Sequence, residues 1–480
     1  MKKEFEKKQL VKKSENFSRW YTDIILKADL ADYAPTKGCM IFKPYGFAIW
    51  ENIQKIFDEQ IKKADVKNVY FPLFIPERLL KKEKEHVKGF SPELAVVTIG
   101  GGKKLKEKLI VRPTSEAIMY EMFAKWIESW RDLPLLVNQW CNVIRWEKRI
   151  RLFLRTTEFL WQEGHTVHAT HQEALEEARR ALNSYLELYR QYFAIDGIAG
   201  IKSESEKFPG ALTTHTFEML MSSNKALQGC TSHDLGQNFA KVFDLNFLDK
   251  GGKSKIPWQT SWGLSTRSIG ALIMVHGDDN GLIIPPQLAP IQIVIIPILQ
   301  GKSTDNNLIK KAEETKNLLK DFKAEVDIKK EYSVGWKFNQ WELKGVPLRI
   351  EIGQKEIKDK KATLVRRDNN QRYNISLNSL PDRVKRILDE IQTNLLKKSQ
   401  LYLKENTKEI SDYQEFKDIL KKEKGFLKAF WCEDAKCEVK IKEETKATTR
   451  ALPLNSKKEE GKCIYCGKRA KRRWIFAQAY

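Results

Sequence analysis

A run of 22 residues from Arg145 to Thr166, RWEKRIRLFLRTTEFLWQEGHT, limits what this chain can fold into more than any other stretch, because it sets four arginines and three glutamates among apolar and aromatic side chains. The preceding LLVNQWCNVI (135–144) is rich in β-branched and apolar residues, and Phe153 to Trp161 continues that character after a basic tip at Lys148–Arg151. The pattern predicts an antiparallel hairpin of strand, basic loop and returning strand. An arginine at a strand end offers a fixed fork of donors to a phosphate, and Glu147 can accept from an exocyclic amino group, so Arg145 and Arg155 are candidate phosphate clamps. The same residues also describe a salt-bridged edge hairpin with a solvated charged face. The stretch by itself leaves both readings open.

Its neighbours separate them. Arg145-Trp146-Glu147 followed by Arg155-Thr156-Thr157-Glu158-Phe159 resembles motif 2 of the class II aminoacyl-tRNA synthetases, and FLRTTEFLWQEGHT is close to the prolyl-tRNA synthetase version. VRPTSEAIM (111–119) and WQTSWGLSTRSIGALIMVHGDDNGLIIPPQLAP (258–290) match the same family, the latter resembling motif 3 with Arg267 as its arginine. From Pro44 to Ala64, apolar Phe47, Trp50, Ile53, Ile56, Phe57 and Ile61 recur at helical spacing, and VYFPLF (69–74) reads as a strand. That helix and strand, with Pro72, resemble motif 1. In the family motif 1 builds a two-fold interface, so the resemblance implies a homodimer; the periodicity fits equally a helix packed within one subunit. The likeness runs from about residue 15 to the C-terminus and is with the archaeal and eukaryotic type.

Composition agrees. A length of 480 residues allows two to four domains, and a net charge of +22 favours a polyanionic partner. Seven cysteines with no compact disulfide framework fit a reducing compartment, and MKKEFEKKQL lacks the apolar core of a signal peptide, so a cytoplasmic protein is expected. The longest apolar run, IQIVIIPIL (291–299), is too short to span a bilayer, so no membrane is involved. Residues 1–16 read as a solvated basic helix or tail.

Thr114-Ser115-Glu116 opens a helical pattern through Met119, Phe123, Trp126 and Ile127, and alone it reads as a helix cap. The resemblance adds a second duty. Proline carries a secondary ammonium with two donors, which a carboxylate and a hydroxyl can satisfy together. Thr114 and Glu116 match the family residues that do so. Trp161 and Glu163, alternating on the returning strand, share a face and would wall the pyrrolidine ring, with Phe208 completing the wall. A helix is predicted over 172–193 and a strand near Thr213–Leu220. In LQGCTSHDLGQNFAKVF (227–243), Thr231 and His233 alternate, whereas Gln228 is out of step and needs Gly229 to bend the chain. The resemblance assigns Gln228 and Thr231 to ATP and His233 to proline. About 65 residues separate Glu163 from Gln228, which leaves no room for the editing domain that the bacterial type inserts. Mischarged alanine would then be cleared by another protein or not at all.

Motif 3 supplies Ser265 for proline and Arg267 for the terminal phosphates. The implied reaction is activation of L-proline by ATP with Mg²⁺ to prolyl adenylate and pyrophosphate, then transfer to the 3′ end of tRNA(Pro). The implied ATP site is Arg145, Glu147, Arg155, Thr156, Gln228, Thr231 and Arg267; the implied proline site is Thr114, Glu116, Arg145, Trp161, Glu163, Phe208, His233 and Ser265. Arg145, Arg155 and Arg267 would carry the catalysis.

Beyond Pro285-Pro286 and Pro290, IQIVIIPIL as a strand, Leu308–Phe322 as a helix and AEVDIK (324–329) as a strand predict a small α/β domain. It resembles the anticodon-binding domain shared by several class II synthetases. Glu342, Arg349 and Lys355 stand where this family reads anticodon guanines, and their types suit guanine's edges. Near the C-terminus, Cys432 and Cys437, then Cys463 and Cys466, form two pairs that suit structural Zn²⁺ held by four thiolates. Cys39, Cys141 and Cys230 lie apart and read as packing residues. GKRAKRRW (467–474) reads either as a contact to tRNA phosphates or as a solvated surface, and the family's terminal tyrosine, here Tyr480, folds back towards the active site.

The expected fold is therefore α+β: a class II catalytic domain on an antiparallel sheet over 1–286 (motif 1 about 44–76, motif 2 about 140–166, motif 3 about 258–286), an α/β anticodon-binding domain over 287–400, and a small α/β zinc-type domain over 401–480. The alternative, from a different functional class, is a catalytically inactive relative acting as an RNA-binding or regulatory protein. It predicts loss of Arg145, Arg155 or Arg267, and all three are present.

Overall fold

Two antiparallel strands, β1 (Leu135–Ile144) and β2 (Glu158–His168), form the expected hairpin, with Leu135 opposite Val167 and Ile144 opposite Glu158. The computed structural model describes residues 9–82, 94–299 and 305–480. The hairpin is shorter on its return than the sequence pattern predicts. Leu152, Phe153 and Leu154 are buried, but Phe153 has φ +62°, and the backbone folds on itself there through Arg151 N–H to Arg155 O at 2.7 Å. The apolar triplet thus roots the motif 2 loop in the core, with the Phe153 ring edge-on to Phe42 at 5.3 Å, and the strand starts only at Glu158.

The hairpin lies within an eleven-stranded sheet that also contains β3 (Gly197–Ile201), β4 (Thr213–Leu220), β5 (Ala226–Gly236) and β6 (Trp258–Ser265). Across its middle the order is β3-β4-β5-β6-β2-β1, all antiparallel. The motif 1 helix α1 (Pro44–Lys62) packs into the core of its own chain: Phe57 stacks on Tyr185 at 4.9 Å, and Trp50 meets Trp140 edge-on. The strand expected at 69–74 does not form; Lys67–Asn68 and Phe74–Pro76 are short strands on either side. Pro72 has no N–H for a ladder. The carbonyls of Phe71 and Pro72 accept instead from the buried guanidinium of Arg112 at 2.8 and 3.4 Å.

The helix α2 (Glu116–Trp126) follows the Thr-Ser-Glu triplet, and α3 (His171–Glu187) lies on β5 and β6 and ends in a π turn over Leu188–Tyr192. Between β2 and β5 the chain makes only α3, β3, β4 and their connections, so no additional domain stands there. Motif 3 runs from β6 into α4 (Arg267–His276). Residues 1–8 of the expected basic tail lie outside the described residues. The part that is described, 9–16, is not helical and not simply solvated: Lys13 donates to Gly277 O at 2.9 Å, and burial pushes its ammonium down to about 8.

The following domain is a five-stranded mixed sheet in which β7 (Ile293–Pro297) is parallel to Ala324–Val326 and to β8 (Leu348–Ile352). Helix α5 (Val334–Lys344) precedes β8, and the long helix α6 (Leu380–Glu405) carries the chain past the expected boundary at residue 400. The C-terminal segment forms the expected small α/β unit, with its own core of Phe416, Leu427, Trp431, Ile441 and Phe476. Its strands β9 (Phe426–Phe430), β10 (Thr448–Pro453) and β11 (Arg473–Ala477) also extend the eleven-stranded sheet, with β10 pairing on β3 at Leu452–Ile201 and Pro453–Gly200. Gly200 allows this approach, since a Cβ there would lie 2.5 Å from Leu452 O.

Under that seam Glu218 of β4 binds Lys202 at 2.7 Å through one oxygen and Arg450 of β10 at 2.7 Å through the other. Burial alone would raise the Glu218 carboxyl, but Arg450 and Lys202 hold it below its ordinary value. Removing one member of a buried charge cluster strands the others, at a cost of roughly 3–5 kcal/mol. Arg450→Met is therefore expected to lower the chain's stability by about 3 kcal/mol or more, measured by urea unfolding; a change below about 1 kcal/mol, the worth of an exposed ion pair, would contradict this.

Candidate active site

The register of three strands builds one face. Thr231 of β5 stands opposite Gly263 of β6, which stands opposite Glu163 of β2; one step along, His233, Ser261 and His165 form the parallel row, and Ser265 faces Trp161 beyond. Side chains at alternate positions share a face, so these rows line a single cavity of about 270 Å³. Gly263 leaves its floor open. Eleven of the expected residues meet there: Thr114, Glu116, Arg145, Trp161, Glu163, Phe208, Gln228, Thr231, His233, Ser265 and Arg267. Gln228 joins by the expected bend, because the β4–β5 ladder slips at Gly229, leaving Phe217 opposite Cys230 and Glu218 opposite Gln228.

Glu163 is buried yet charged. It accepts from Ser115 Oγ at 2.5 Å, Gln139 Nε2 at 2.9 Å and His165 Nε2 at 3.1 Å. Burial raises its carboxyl, but His165 and these donors outweigh that and hold it below the ordinary value; burial conversely lowers His165, but Glu163 and Glu116 hold it above its own. Ser115 thus gives its hydroxyl to Glu163 and makes no side-chain cap on α2, although it occupies the cap position. Thr114 Oγ1 donates to Glu116, so hydroxyl and carboxylate are paired beside the cavity. The Trp161 indole is pinned by Nε1–H to Cys141 Sγ at 3.1 Å, and Phe208 stacks on His233 at 4.5 Å, whose Nδ1 meets Thr214 Oγ1 at 2.9 Å. Cys141, expected only to pack, therefore orients a wall of the pocket.

The other end of the cavity is cationic. Arg145 is held by Nε–H to Pro113 O at 3.1 Å, with its guanidinium over the Phe159 and Trp161 rings. Arg267 opens α4, and burial together with Arg145 and Arg155 pushes it down to about 10. Arg155, Glu147 and Thr156 do not line the cavity. Arg155 bonds Tyr480 O at 3.2 Å and lies 3.9 Å from Glu147, while Thr156 Oγ1 turns back to Glu158 O at 2.6 Å. Tyr480 does fold back, its hydroxyl on Ser223 at 2.6 Å and its ring under Arg151.

Sequence reasoning missed Phe159, His165 and Ser261 in this cavity. The signal was available: the two-residue period from Trp161 through Glu163 continues to His165, and that from Ser265 through Gly263 reaches Ser261. The Ser261 Oγ is buried without a hydrogen-bond partner, which marks a position where a bound molecule can supply one.

Away from the cavity, the sulfurs of Cys432, Cys437, Cys463 and Cys466 lie within 4.8 Å of one another, with Cys432 at 3.7 Å from both Cys437 and Cys466. Thiolates on a tetrahedral zinc at about 2.3 Å stand about 3.8 Å apart, so the four fit that ion. The turn that carries Cys463 and Cys466 closes just beyond them, where Gly467 with φ +71° donates its N–H to Cys463 O at 3.0 Å. In the second domain Glu342 and Arg349 are joined at 2.7 Å, with Arg349 also on Glu351 and over Phe338, whereas Lys355 lies apart on the short helix Gln354–Lys358.

Three family models match the chain in order: tRNA synthetase class II core domain (G, H, P, S and T) over residues 98–276, anticodon binding domain over 292–387, and prolyl-tRNA synthetase C-terminal over 413–480. The fold is that of a class II aminoacyl-tRNA synthetase. The chain is 50% identical over 466 residues to a proline–tRNA ligase of Alkaliphilus oremlandii, covering 97% of this chain and 96% of that protein, and 51% identical over 474 residues to one of Rubrobacter xylanophilus, covering 98% and 99%. It is also similar to the crystal structure of prolyl-tRNA synthetase from Cryptosporidium parvum complexed with halofuginone and AMPPNP, with a TM-score of 0.94, 42% identity, and 98% and 99% of the two chains covered. The chain belongs to the prolyl-tRNA synthetases, enzymes that ligate proline to tRNA. Nothing in these likenesses supports an inactive relative.

The Glu163–His165 pair gives a pH signature. His165, raised in the folded chain, contributes fully below about pH 6.5 and its contribution is lost as pH rises through the raised value. Glu163, lowered, contributes above about pH 4.3 and is lost as pH falls through the lowered value. The KM for proline is expected to rise as pH rises through the raised His165 value, and His165→Gln to flatten that rise; parallel profiles for the two proteins would contradict the assignment.

Proposed function

We propose that this cavity holds L-proline at its Glu163 end and the α-phosphate of ATP at its arginine end. Thr114 and Glu116 take the secondary ammonium, Trp161, Glu163, Phe208 and His233 wall the ring, and Ser265 borders the carboxylate. Arg145 spans both substrates; Arg267 and Arg155 meet the terminal phosphates, Arg155 after leaving Tyr480. Gln228, Thr231, Glu147 and Thr156 border the nucleotide. The observation that carries this reading is the convergence of eleven of the expected side chains on one cavity, six of them from the three strands β2, β5 and β6.

The chemistry follows from the charges. A proline carboxylate oxygen, already ionised, attacks the α-phosphorus; the bond from that phosphorus to the bridging oxygen breaks, and pyrophosphate leaves. No base is required, so rate comes from positioning and from cations facing developing charge. Mg²⁺ bound with ATP adds neutralisation at the phosphates. The terminal ribose hydroxyl of tRNA then attacks the adenylate carbonyl, AMP leaves, and prolyl-tRNA(Pro) forms.

We infer further that the chain acts as a cytoplasmic homodimer divided near residues 286 and 405, that Glu342, Arg349 and Lys355 read anticodon guanines, and that the four cysteines hold zinc. The dimer is supported by apolar side chains left exposed around motif 1, among them Tyr70 at 72%, Phe74 at 46% and Trp126 at 45%. No helix among the described residues is long and apolar enough to cross a membrane.

Proline-dependent exchange of labelled pyrophosphate into ATP is the test. The unaltered chain is expected to exchange, and Arg145→Ala to lose about 10²-fold or more, the cost of removing one donor to transition-state charge. Full exchange by the Arg145→Ala protein would sink the proposed clamp.

A further inference from the structure

We propose that Arg367 is a positioning residue that couples occupancy of the anticodon site to the placement of Arg267. The inference rests on the reading of Glu342 and Arg349 as guanine contacts.

Arg367, in the turn after the strand Lys361–Arg366, points the two terminal nitrogens of its guanidinium across the domain boundary. Its Nη1 and Nη2 bind both oxygens of Asp278 at 2.8 and 2.6 Å, and its Nε–H donates to the Glu342 carbonyl at 3.0 Å. The Arg367 side chain is only 3% exposed. One planar group therefore holds two things at fixed distance: the backbone of the residue whose carboxylate faces Arg349, and the turn that ends the motif 3 helix. That helix, α4, begins at Arg267 and is ten residues long, about 15 Å of rigid rod.

The boundary leaves little slack on either side of this clamp. Leu282 N–H bonds Leu343 O at 3.0 Å and Ile284 N–H bonds Gly345 O at 3.1 Å, so the backbone after motif 3 runs against the end of α5. Gly281 and Gly345 both have positive φ, and a Cβ on either would meet the opposing backbone at 2.4 or 2.5 Å. A guanine whose N1 and N2 donors bind Glu342 competes with Arg349, which holds one oxygen of that carboxylate at 2.7 Å. Any accompanying shift of the end of α5 passes through Arg367 to Asp278, and along α4 to Arg267.

The test measures kcat and KM for aminoacylation with tRNA(Pro) and with the same tRNA carrying replaced anticodon guanines, in the unaltered chain, Arg367→Lys and Asp278→Asn. Lysine keeps the charge but not the fork, and asparagine keeps the shape but not the charge. The unaltered chain is expected to lose kcat, as well as gain KM, on guanine replacement. In both variants the kcat ratio between the two tRNAs should fall by about fivefold or more, the lower range of ordinary coupling, while the KM ratio persists because Glu342 and Arg349 remain. A merely structural role would lower both kcat values alike; an unchanged kcat ratio in both variants overturns the inference. Absence of any guanine effect in the unaltered chain overturns the anticodon reading itself, and the coupling with it.

Discussion

The site depends on a negative charge kept in a place where water cannot solvate it. Glu163 sits on β2, buried, and stays ionised because Ser115, Gln139 and His165 all point donors at it. Those donors come from the start of α2, from β1 and from β2 itself, so the carboxylate ties three elements to one point. A buried carboxylate without such partners would be expelled or neutralised. Around it, strand register supplies the remaining geometry, since Thr231, Gly263 and Glu163 lie in one row and His233, Ser261 and His165 in the next. A one-residue slip of β6 would turn that whole face over.

Much of this was legible in the chain. The hairpin, the motif 1 helix, α2 and the strand-to-helix step of motif 3 follow from local apolar period and turn chemistry, and the bend at Gly229 follows from Gln228 being out of step with Thr231 and His233. Where the reading failed, a non-local partner intervened. Residues 69–74 look like a strand by composition, but Arg112 takes the carbonyls a ladder would use. Phe153 looks like strand because it is apolar and β-forming, but its place in the core requires a positive φ. Ser115 looks like a cap, but its hydroxyl is claimed by a glutamate 48 positions later.

The joining of the C-terminal segment to the catalytic sheet was not legible at all. Nothing local in ALPLN (451–455) says that it will pair with Gly200 and Ile201, and in the Glu218–Lys202–Arg450 cluster Arg450 meets a glutamate 232 positions earlier. Such long-range pairing is set by what remains unpaired at a sheet edge. The result is mechanically important, since the segment that carries the four cysteines and Tyr480 is continuous with the strands that floor the active site. The cavity thus rests on a whole-chain frame rather than on its lining residues alone.

We propose that the pocket recognises the charged secondary ammonium through buried polar partners, and not merely a five-membered ring. The most direct measurement is inhibition of proline-dependent pyrophosphate exchange by cyclopentanecarboxylate, which keeps the ring and the carboxylate but has no nitrogen. A site built for buried hydrogen bonds rejects an analogue lacking the donor by about 10⁴-fold or more, so binding at least that much weaker than proline is the predicted result. Inhibition within about tenfold of the KM for proline, the range a hydrophobic pocket alone gives, would contradict it.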